Sequence, residues 1–237
     1  MRRAWFLVLL VACKASDDGD DFPVVPGGPS VPSTIVDAAP PDTVSPDGGM
    51  TITGRVCIVS DIRTLTPCGA AQGITVTLGT RTTTTGTDGT FTIPAPSSGG
   101  LVWRAAKVGF VSSVVPFGVA TTIPMIDEEA YLALQNANGV VLSAGQGSIA
   151  VRVIRNGAAQ AGAVATVQPF AEYPVKYDGP TSLAWTQTST GAAGAIWVPG
   201  AVLGTNIVTV TPTSGNGASA SVLVEDQAIT YTTIELP

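Results

Sequence analysis

TTTTGTDGTFTIP, residues 82–94, aligns without a gap on QTSTGAAGAIWVP, residues 187–199, at a constant offset of 105. In the first of these stretches, the pair Asp88-Gly89 separates two alternating runs, Arg81–Thr85 and Thr90–Ile93. An Asp-Gly pair in that place indicates a β-hairpin, because the turn requires positive φ. The chain is therefore predicted to contain two sequential copies of one β-rich unit.

The repeat extends towards the N-terminus of each copy. Gly73–Val76 matches Gly162–Ala165 at an offset of 89, so the second copy carries about 16 extra residues, which is 105 − 89. These extra residues fall between Val167 and Gln187. They form an insertion into the second unit.

Short alternating runs bounded by turn signals occur throughout the chain from Met50 onward, and they predict an all-β sandwich architecture. We expect one sandwich at residues 50–125 and a second of the same type at 147–237. Between them, Asp127 followed by two glutamates, and then Asn138-Gly139, are start and stop signals for a short helix in a connector over residues 126–146.

Motifs of the first copy resemble the carboxypeptidase regulatory-like domain, a transthyretin-like β-sandwich. They are I-x-G-x-V at Ile52–Val56, G-V-x-V-x-L at Gly73–Leu78, a shortened T-D-x-x-G-x-F-x-I at Thr87–Ile93, and Gly-aromatic at Gly109-Phe110. The second copy keeps the hairpin glycines but lacks the Thr-Asp start. The resemblance implies two tandem transthyretin/Ig-like sandwiches that act as folding, spacing or binding modules and carry no catalytic residues.

The first residues are typical of an export signal. Arg2 and Arg3 precede the nine-residue apolar run Ala4–Ala12, which is too short for a membrane span of about 20 residues. The run ends in Leu10–Cys13, which resembles the bacterial lipobox. That resemblance implies cleavage of a signal peptide (residues 1–12) and acylation of Cys13, palmitate included; the alternative is an ordinary secretory signal with a chance cysteine.

Residues 13–49 are predicted to form a tether behind the lipid. Residues 14–49 contain seven prolines, and their seven aspartates face a single base, Lys14. Such a composition favours a disordered segment. The aspartates at 17–21 do not follow the pattern of a calcium-binding EF-hand loop. Because Lys14, and not Asp, follows the lipid cysteine, we expect the outer membrane, with the face left open.

Use of Cys13 for the lipid leaves Cys57 and Cys68, both in an exported and oxidising environment. We expect them to form a disulfide that contributes roughly 2–3 kcal/mol to stability; the alternative is two buried free thiols. No zinc site is expected, because the chain contains no histidine and no C-x-x-C pair.

The composition argues against an enzyme. Without histidine there is no Ser-His-Asp triad, and no G-x-S-x-G or S-x-x-K motif is present. Gly145–Ala150 fits the dinucleotide-binding pattern on paper, but a strand pattern follows it where a helix is required. No cofactor is expected. From Met50 onward ten acids face eight bases, so the folded part offers no basic footprint for nucleic acid.

The insertion holds the best candidate contact surface, formed by Phe170, Tyr173, Tyr177 and Trp185. Aromatic rings mixed with polar side chains suit sugars or protein edges. The favoured interpretation is nevertheless that these rings pack over one end of the sandwich. Two functions follow: a lipid-anchored structural or protein-interaction module that contacts another envelope protein, or a surface lipoprotein that binds a carbohydrate or other polymer through these rings.

Overall fold

The computed structural model describes residues 50–96, 101–118 and 121–237. The predicted signal peptide, the lipidation site at Cys13 and the tether up to residue 49 lie outside these described residues. Among the described residues, no helix combines the length and the hydrophobicity that crossing a membrane requires.

The first half of the described chain is a β-sandwich. One sheet is centred on β1 (Thr51–Val59), which pairs antiparallel with β2 (Gly69–Ala70) and β5 (Thr90–Pro94) and parallel with β8 (Thr122–Ile126). The facing strands run in the order β7 (Ser113–Pro116), β6 (Val102–Ala106), β3 (Thr75–Leu78) and β4 (Arg81–Thr84). The hairpin predicted around Asp88-Gly89 is wrong, because β4 pairs with β3 and β5 pairs with β1, so this turn connects strands of two different sheets.

Alternation along these strands determines which side chains enter the core. In β5, Phe91 and Ile93 are buried while the threonines beside them are exposed. The ring of Phe91 meets the ring of Trp103 from the facing sheet edge-on, with their centroids 5.4 Å apart. Successive side chains of a strand point to opposite faces, so the period of two in the sequence identifies the core-facing residues.

The predicted connector helix is present as α1 (Glu128–Ala137). The Asp127 carboxylate caps it by accepting the backbone N–H of Glu129 at 2.8 Å, and two glutamates occupy the first turn, where acids complement the helix dipole. The helix buries Tyr131 and Leu134 against the core. Both the start signal and the stop signal of the sequence are thus confirmed.

The second half repeats the topology of the first. Its central strand β9 (Gln146–Arg155) pairs antiparallel with β10 (Ala158–Ala159) and β13 (Ala195–Val202) and parallel with the last strand, β16 (Ile229–Leu236). The facing sheet has the order β11 (Val164–Gln168), β14 (Gly204–Thr211) and β15 (Ala218–Val224), while β12 (Lys176–Tyr177) pairs with β13. The all-β class, with tandem sandwiches and one short helix between them, is therefore confirmed.

The two halves meet at a seam, where β16 pairs parallel with β7 through Ile229 opposite Ser113 and Thr230 opposite Val114. This pairing joins one sheet of the first half to one sheet of the second in a nine-stranded sheet. Sheet hydrogen bonding is thus continuous across the connector. The sequence boundaries at residues 125 and 147 stay a prediction.

The hydrophobic core is also continuous across the seam. Trp197 and Tyr231 of the second half belong to the same buried cluster as Val56 and Trp103 of the first. Helix α1 covers this region, with the ring of Tyr131 edge-on to Trp197 at a centroid distance of 6.2 Å. The β13-β9-β16 sheet consequently contributes side chains to two clusters, one on each of its faces.

The predicted disulfide between Cys57 and Cys68 is confirmed, with the two Cα atoms 4.9 Å apart. It links Cys57, near the end of β1, to Cys68, which directly precedes β2. β1 and β2 already pair, with Cys57 opposite Ala70. The bond therefore closes the loop that follows β1.

Candidate functional site

In both copies an equivalent threonine hydroxyl bonds two backbone groups, one N–H and one carbonyl. In the first half, Thr85 Oγ1 accepts the Ile74 N–H at 2.9 Å and donates to the Ala71 carbonyl. In the second half, Thr190 Oγ1 accepts the Ala163 N–H at 2.9 Å and donates to the Gln160 carbonyl at 2.7 Å. The offsets of 105 and 89 read from the sequence thus connect residues with the same contacts.

The turn glycines of the repeat are required by geometry. Gly89 has φ of 82° and Gly194 has φ of 64°. A Cβ atom at either residue would lie 2.6 Å from a backbone oxygen of the neighbouring central strand, that of Val56 or Val153. No residue with a side chain fits these two places without displacing the backbone.

Trp185 is not part of an exposed surface. It is 2% exposed, and its ring lies edge-on to Trp197 with centroids 5.8 Å apart. Its Nε1–H donates to the Ser182 carbonyl at 2.9 Å. The indole packs on the face of β13 that carries Trp197, within the buried cluster shared by the two halves. It is therefore not available as a ligand contact.

Tyr177 is likewise buried, at 8% exposure. Its hydroxyl supplies a hydrogen bond where the first half has a strand. In the first half, β4 pairs with the edge of β3. Among the described residues, the equivalent strand β11 pairs with β14 alone. The Tyr177 hydroxyl accepts the Ala165 N–H on this edge at 2.9 Å. A buried backbone N–H needs a partner, so this side chain serves the strand and not a ligand.

Tyr173 is half-buried and fastened by its hydroxyl. That hydroxyl accepts the Val141 N–H at 3.1 Å and donates to the Val141 carbonyl at 2.8 Å. It therefore pins the insertion to the segment after α1. Phe170, at 83% exposure, is the member of the predicted aromatic set whose ring lies in solvent. The four rings do not form one exposed surface.

Asp178, one of the polar residues of the insertion, is a buried carboxylate with three backbone partners. It is 1% exposed and accepts the N–H groups of Gly191, Ala193 and Ala195 at 2.8, 2.9 and 2.9 Å. Hydrogen bonds to the charged form repay the desolvation of a carboxylate. It holds the insertion against the turn at residues 191–194, and only the glycines of that turn indicated the site in the sequence.

Two arginines brace the seam. Arg104 Nε of β6 donates to the Glu225 carboxylate at 2.6 Å, with both side chains partly exposed. Arg63 forms a more buried pair with Asp61, at 2.6 Å and side-chain exposures of 13% and 14%. Arg63 Nη1 also donates to the Gly179 carbonyl in the insertion at 2.7 Å. The loop closed by the disulfide thereby reaches the second half.

A cavity of about 80 Å³ lies at the seam, beneath the loop that carries Arg63. Its lining combines that loop with strands of both halves and includes Ile62, Leu65, Pro124, Ala150 and Tyr231. Burial raises the pKa of Tyr231 far above its ordinary value, and its hydroxyl has no hydrogen-bond partner among the described residues. The lining is mainly apolar and holds a phenol that stays protonated.

The titratable groups do not assemble into a reaction centre in the described part of the chain. No three His, Cys, Asp or Glu side chains there approach closely enough to hold a metal ion. Asp178 is saturated by backbone donors, and Asp61 is paired with Arg63. What this arrangement supports is rigidity at the seam and around the insertion.

No family model matches the chain, and no curated protein matches it. The resemblance to the carboxypeptidase regulatory-like domain therefore stays a prediction. Among solved structures, the chain is similar to the minor pilin GBS52 of Streptococcus agalactiae, with 14% identity, a TM-score of 0.26, and coverage of 79% of this chain and 95% of the pilin.

Two further solved structures are similar over the same extent. The shaft pilin SpaA of Lactobacillus rhamnosus GG has 9% identity and a TM-score of 0.26, with 79% of this chain and 98% of the pilin covered. The Bacillus anthracis TIE protein has 9% identity and a TM-score of 0.27, with 78% of this chain covered and 33% of the TIE protein. At such low TM-scores these likenesses carry no conclusion about this chain.

Proposed function

We propose that this chain is a non-catalytic, lipid-anchored protein of the bacterial envelope that acts as a stiff structural and protein-interaction module. The observation that carries the proposal is the seam. Two sandwiches that could have been joined by a flexible linker instead share a nine-stranded sheet and one buried cluster. Interfaces with that much shared core suppress relative motion.

Side-chain bonds across the seam support the same role. The partly exposed Arg104–Glu225 pair adds little stability by itself. The Arg63–Asp61 pair adds more, because it is more buried and donates onward to Gly179. Together with the disulfide-closed loop, these pairs favour a stiff unit in which the two halves keep a fixed relative position. A spacer or an assembly subunit needs that property.

The anchoring part of the proposal rests on the N-terminal sequence. A short basic stretch, a nine-residue apolar run and Cys13 in a lipobox-like context favour acylation of that cysteine, and Lys14 favours the outer membrane. Intact-mass analysis of the purified protein tests it. We expect a mature chain that begins at an acylated Cys13 and partitions with membranes.

Cys13→Ala is the matched variant for that measurement, because it leaves the folded part unchanged. It should abolish the lipid mass and the cleavage before residue 13, so that the precursor keeps its apolar run Ala4–Ala12. A mature parent chain that begins at another residue, or processing that is unchanged in Cys13→Ala, would contradict the anchor. Protease treatment of intact cells then distinguishes the periplasmic face from the cell surface.

The interaction part of the proposal is tested by crosslinking in the native membrane, followed by purification of the chain with its neighbours. One or a few envelope proteins should be recovered reproducibly in stoichiometric amounts. Recovery of the chain alone, together with unchanged envelope integrity in a deletion strain, would argue against a structural role. The glycan-binding alternative has less support, because Tyr177 and Trp185 are buried and Tyr173 is bonded through its hydroxyl.

A further inference from the structure

We propose that the cavity at the seam binds a short-chain aliphatic carboxylate, in the size range from acetate to butyrate. The alkyl group lies against the apolar wall of the cavity, and the carboxylate accepts hydrogen bonds from Tyr231 and Arg152, which both line it. This inference goes beyond the proposed structural role, because it assigns a small-molecule site to the region where the two halves join. It does not depend on the lipid anchor.

The buried hydroxyl of Tyr231 is an unsatisfied hydrogen-bond donor. Tyr231 is 8% exposed, and its hydroxyl has no hydrogen-bond partner among the described residues. Native proteins pair nearly all of their buried polar groups. Other buried side-chain atoms without a partner in this part of the chain, such as those of Trp103 and Asn206, belong to residues that do not line the cavity. Tyr231 therefore combines an unpaired donor with a space that a ligand can enter.

The strand register places Arg152 close to Tyr231. In the parallel pair of β9 and β16, Tyr231 lies opposite Ala150 and Thr233 lies opposite Arg152. Side chains two positions apart along a strand share a face, and diagonal neighbours on adjacent strands are about 8 Å apart at their Cα atoms. One carboxylate between the two side chains can therefore reach both the phenol hydroxyl and the guanidinium group.

The charges around the cavity favour an anion. The ion pairs in the described part of the chain include Arg63 with Asp61 but do not include Arg152, which is exposed. Glu235 lies further along β16, opposite Ile154, and does not line the cavity. Arg152 is thus an uncompensated positive charge in the lining, and guanidinium groups bind carboxylates well. Because burial raises the pKa of the phenol, Tyr231 stays protonated and able to donate wherever a carboxylate is ionised.

The size and the apolar wall of the cavity restrict the ligand further. Its volume of about 80 Å³ is roughly half that of an engineered cavity of about 150 Å³ that binds benzene. Ile62, Leu65 and Pro124 supply the wall for a short alkyl group. The loop that carries Ile62 and Leu65 is held by the disulfide and by the bond from Arg63 to Gly179. These two restraints oppose the widening that a longer chain requires.

Nuclear magnetic resonance titration of the purified chain tests the proposal, with the methyl signals of Leu65 and Ala150 as reporters. We expect saturable binding of butyrate with a dissociation constant on the order of 1 mM. From acetate through propionate to butyrate, the affinity should rise about fourfold for each CH₂ group that enters the cavity. Hexanoate should gain nothing further, because the cavity is then full. Butyramide, a neutral molecule of the same size as butyrate, should bind at least about fivefold more weakly.

Two variants test the donors separately. Tyr231→Phe keeps the ring and removes the hydroxyl, so it should weaken butyrate binding at least about tenfold. It should not lower the melting temperature, because that hydroxyl bonds nothing among the described residues. Arg152→Gln should weaken binding about fivefold, since the guanidinium is exposed. Lys107→Gln is the matched control, because it removes the same charge at an exposed residue that does not line the cavity, and it should bind like the parent chain.

Shifts that grow linearly with concentration, equal affinities for butyrate and butyramide, or parent-like binding by Tyr231→Phe would each overturn the proposal. An acetylated peptide that ends in valine and displaces butyrate with higher affinity would also overturn it, because the site would then hold the C-terminus of a partner protein. The titration needs no membrane and no envelope partner. Its failure would therefore leave the proposed anchoring and structural role unaffected.

Discussion

The Asp178 carboxylate accepts the backbone N–H of Ala195 at 2.9 Å, as the Asp88 carboxylate accepts the backbone N–H of Thr90 at 3.0 Å. Thr90 and Ala195 are equivalent residues, 105 positions apart. In the first copy the carboxylate comes from the turn itself. In the second copy the turn has Ala193 in place of the aspartate, and the insertion supplies the carboxylate from a distance. The capping interaction is kept although its residue has moved.

Asp178→Ala should therefore be strongly destabilising. Three N–H groups, one buried and two partly buried, lose their acceptor at once, so we expect a loss of about 2–4 kcal/mol in the free energy of unfolding. Chemical denaturation of the purified chain measures it. Asp88→Ala is the internal control and should cost less, because that carboxylate lies at the surface and water replaces it. Equal losses in the two variants would show that the insertion does not depend on Asp178.

The side chain of Thr90 should control the acidity of Asp88. Its hydroxyl donates to Asp88 Oδ1 at 2.7 Å, and this bond is the main cause that holds the pKa of Asp88 below its ordinary value of 3.8. Thr90→Ala should raise that pKa towards 3.8, as followed by carboxyl chemical shifts during an NMR titration. Thr92→Ala, an exposed threonine on the same strand, should leave it unchanged.

The sign of the linked stability follows from that depressed pKa. The contribution of Asp88 is present above the unfolded-state pKa and is lost as the pH falls through the folded-state value. Thr90→Ala should reduce this acid-side dependence. A variant with the same acid-side slope as the parent chain would argue that the hydroxyl does not stabilise the charged form.

The two arginines at the seam should differ in their effect on stability. Arg63→Ala leaves the Asp61 carboxylate mostly buried without its partner and removes the bond to Gly179, for an expected loss of about 2–3 kcal/mol. Arg104→Ala breaks a pair whose side chains are 39% and 31% exposed, so the loss should stay below about 1 kcal/mol. Thermal unfolding at two salt concentrations tests both, with salt dependence expected chiefly for Arg104.

Alkaline pH should unfold the seam region. Burial raises the pKa of Tyr131 to about 12 and raises that of Tyr231 further. Because the folded-state values lie above the unfolded value of 10.0, the contribution of these phenols is complete below about pH 10 and is lost as the pH rises through the folded-state pKa. Ultraviolet absorbance should report their ionisation together with unfolding. Tyr231→Phe should shift that transition to higher pH, and ionisation at ordinary pKa in the folded chain would contradict the burial.

Local signals in the sequence predicted much of this fold. The Asp-Gly turn, the period of two in β5 and the caps of α1 are decided by residues a few positions apart, and the structure has each of them. The hairpin expected at that turn is absent, because which strand each arm pairs with is decided by distant residues: β4 pairs with β3 and β5 with β1. The pairing of Cys57 with Cys68 followed from the cysteine count. These features depend on backbone geometry and burial that neighbouring residues determine.

The burial of the insertion's aromatic rings and the pairing at the seam could not be predicted, because both depend on contacts between residues far apart in sequence. Tyr177 and Trp185 lie in an aromatic and polar segment that is typical of a contact surface. In the structure Tyr177 bonds Ala165 at a strand edge and Trp185 packs on Trp197. Neither partner can be identified from the local sequence. The seam is a second case. Ile229 and Ser113 become neighbours only after both sandwiches form, and alternation within each strand reveals nothing about that pairing.

The parallel pairing of the first and last strand in each half has a mechanical consequence. In the second half, β9 and β16 lie side by side through eight residue pairs, from Ile229 opposite Ser148 to Leu236 opposite Arg155. A pull on the two ends of that half loads this ladder lengthwise, so that its hydrogen bonds bear the force together and do not open one after another. β1 and β8 share the arrangement in the first half. Tension that enters at Met50 and leaves at Pro237 therefore meets two clamps of the same design in series.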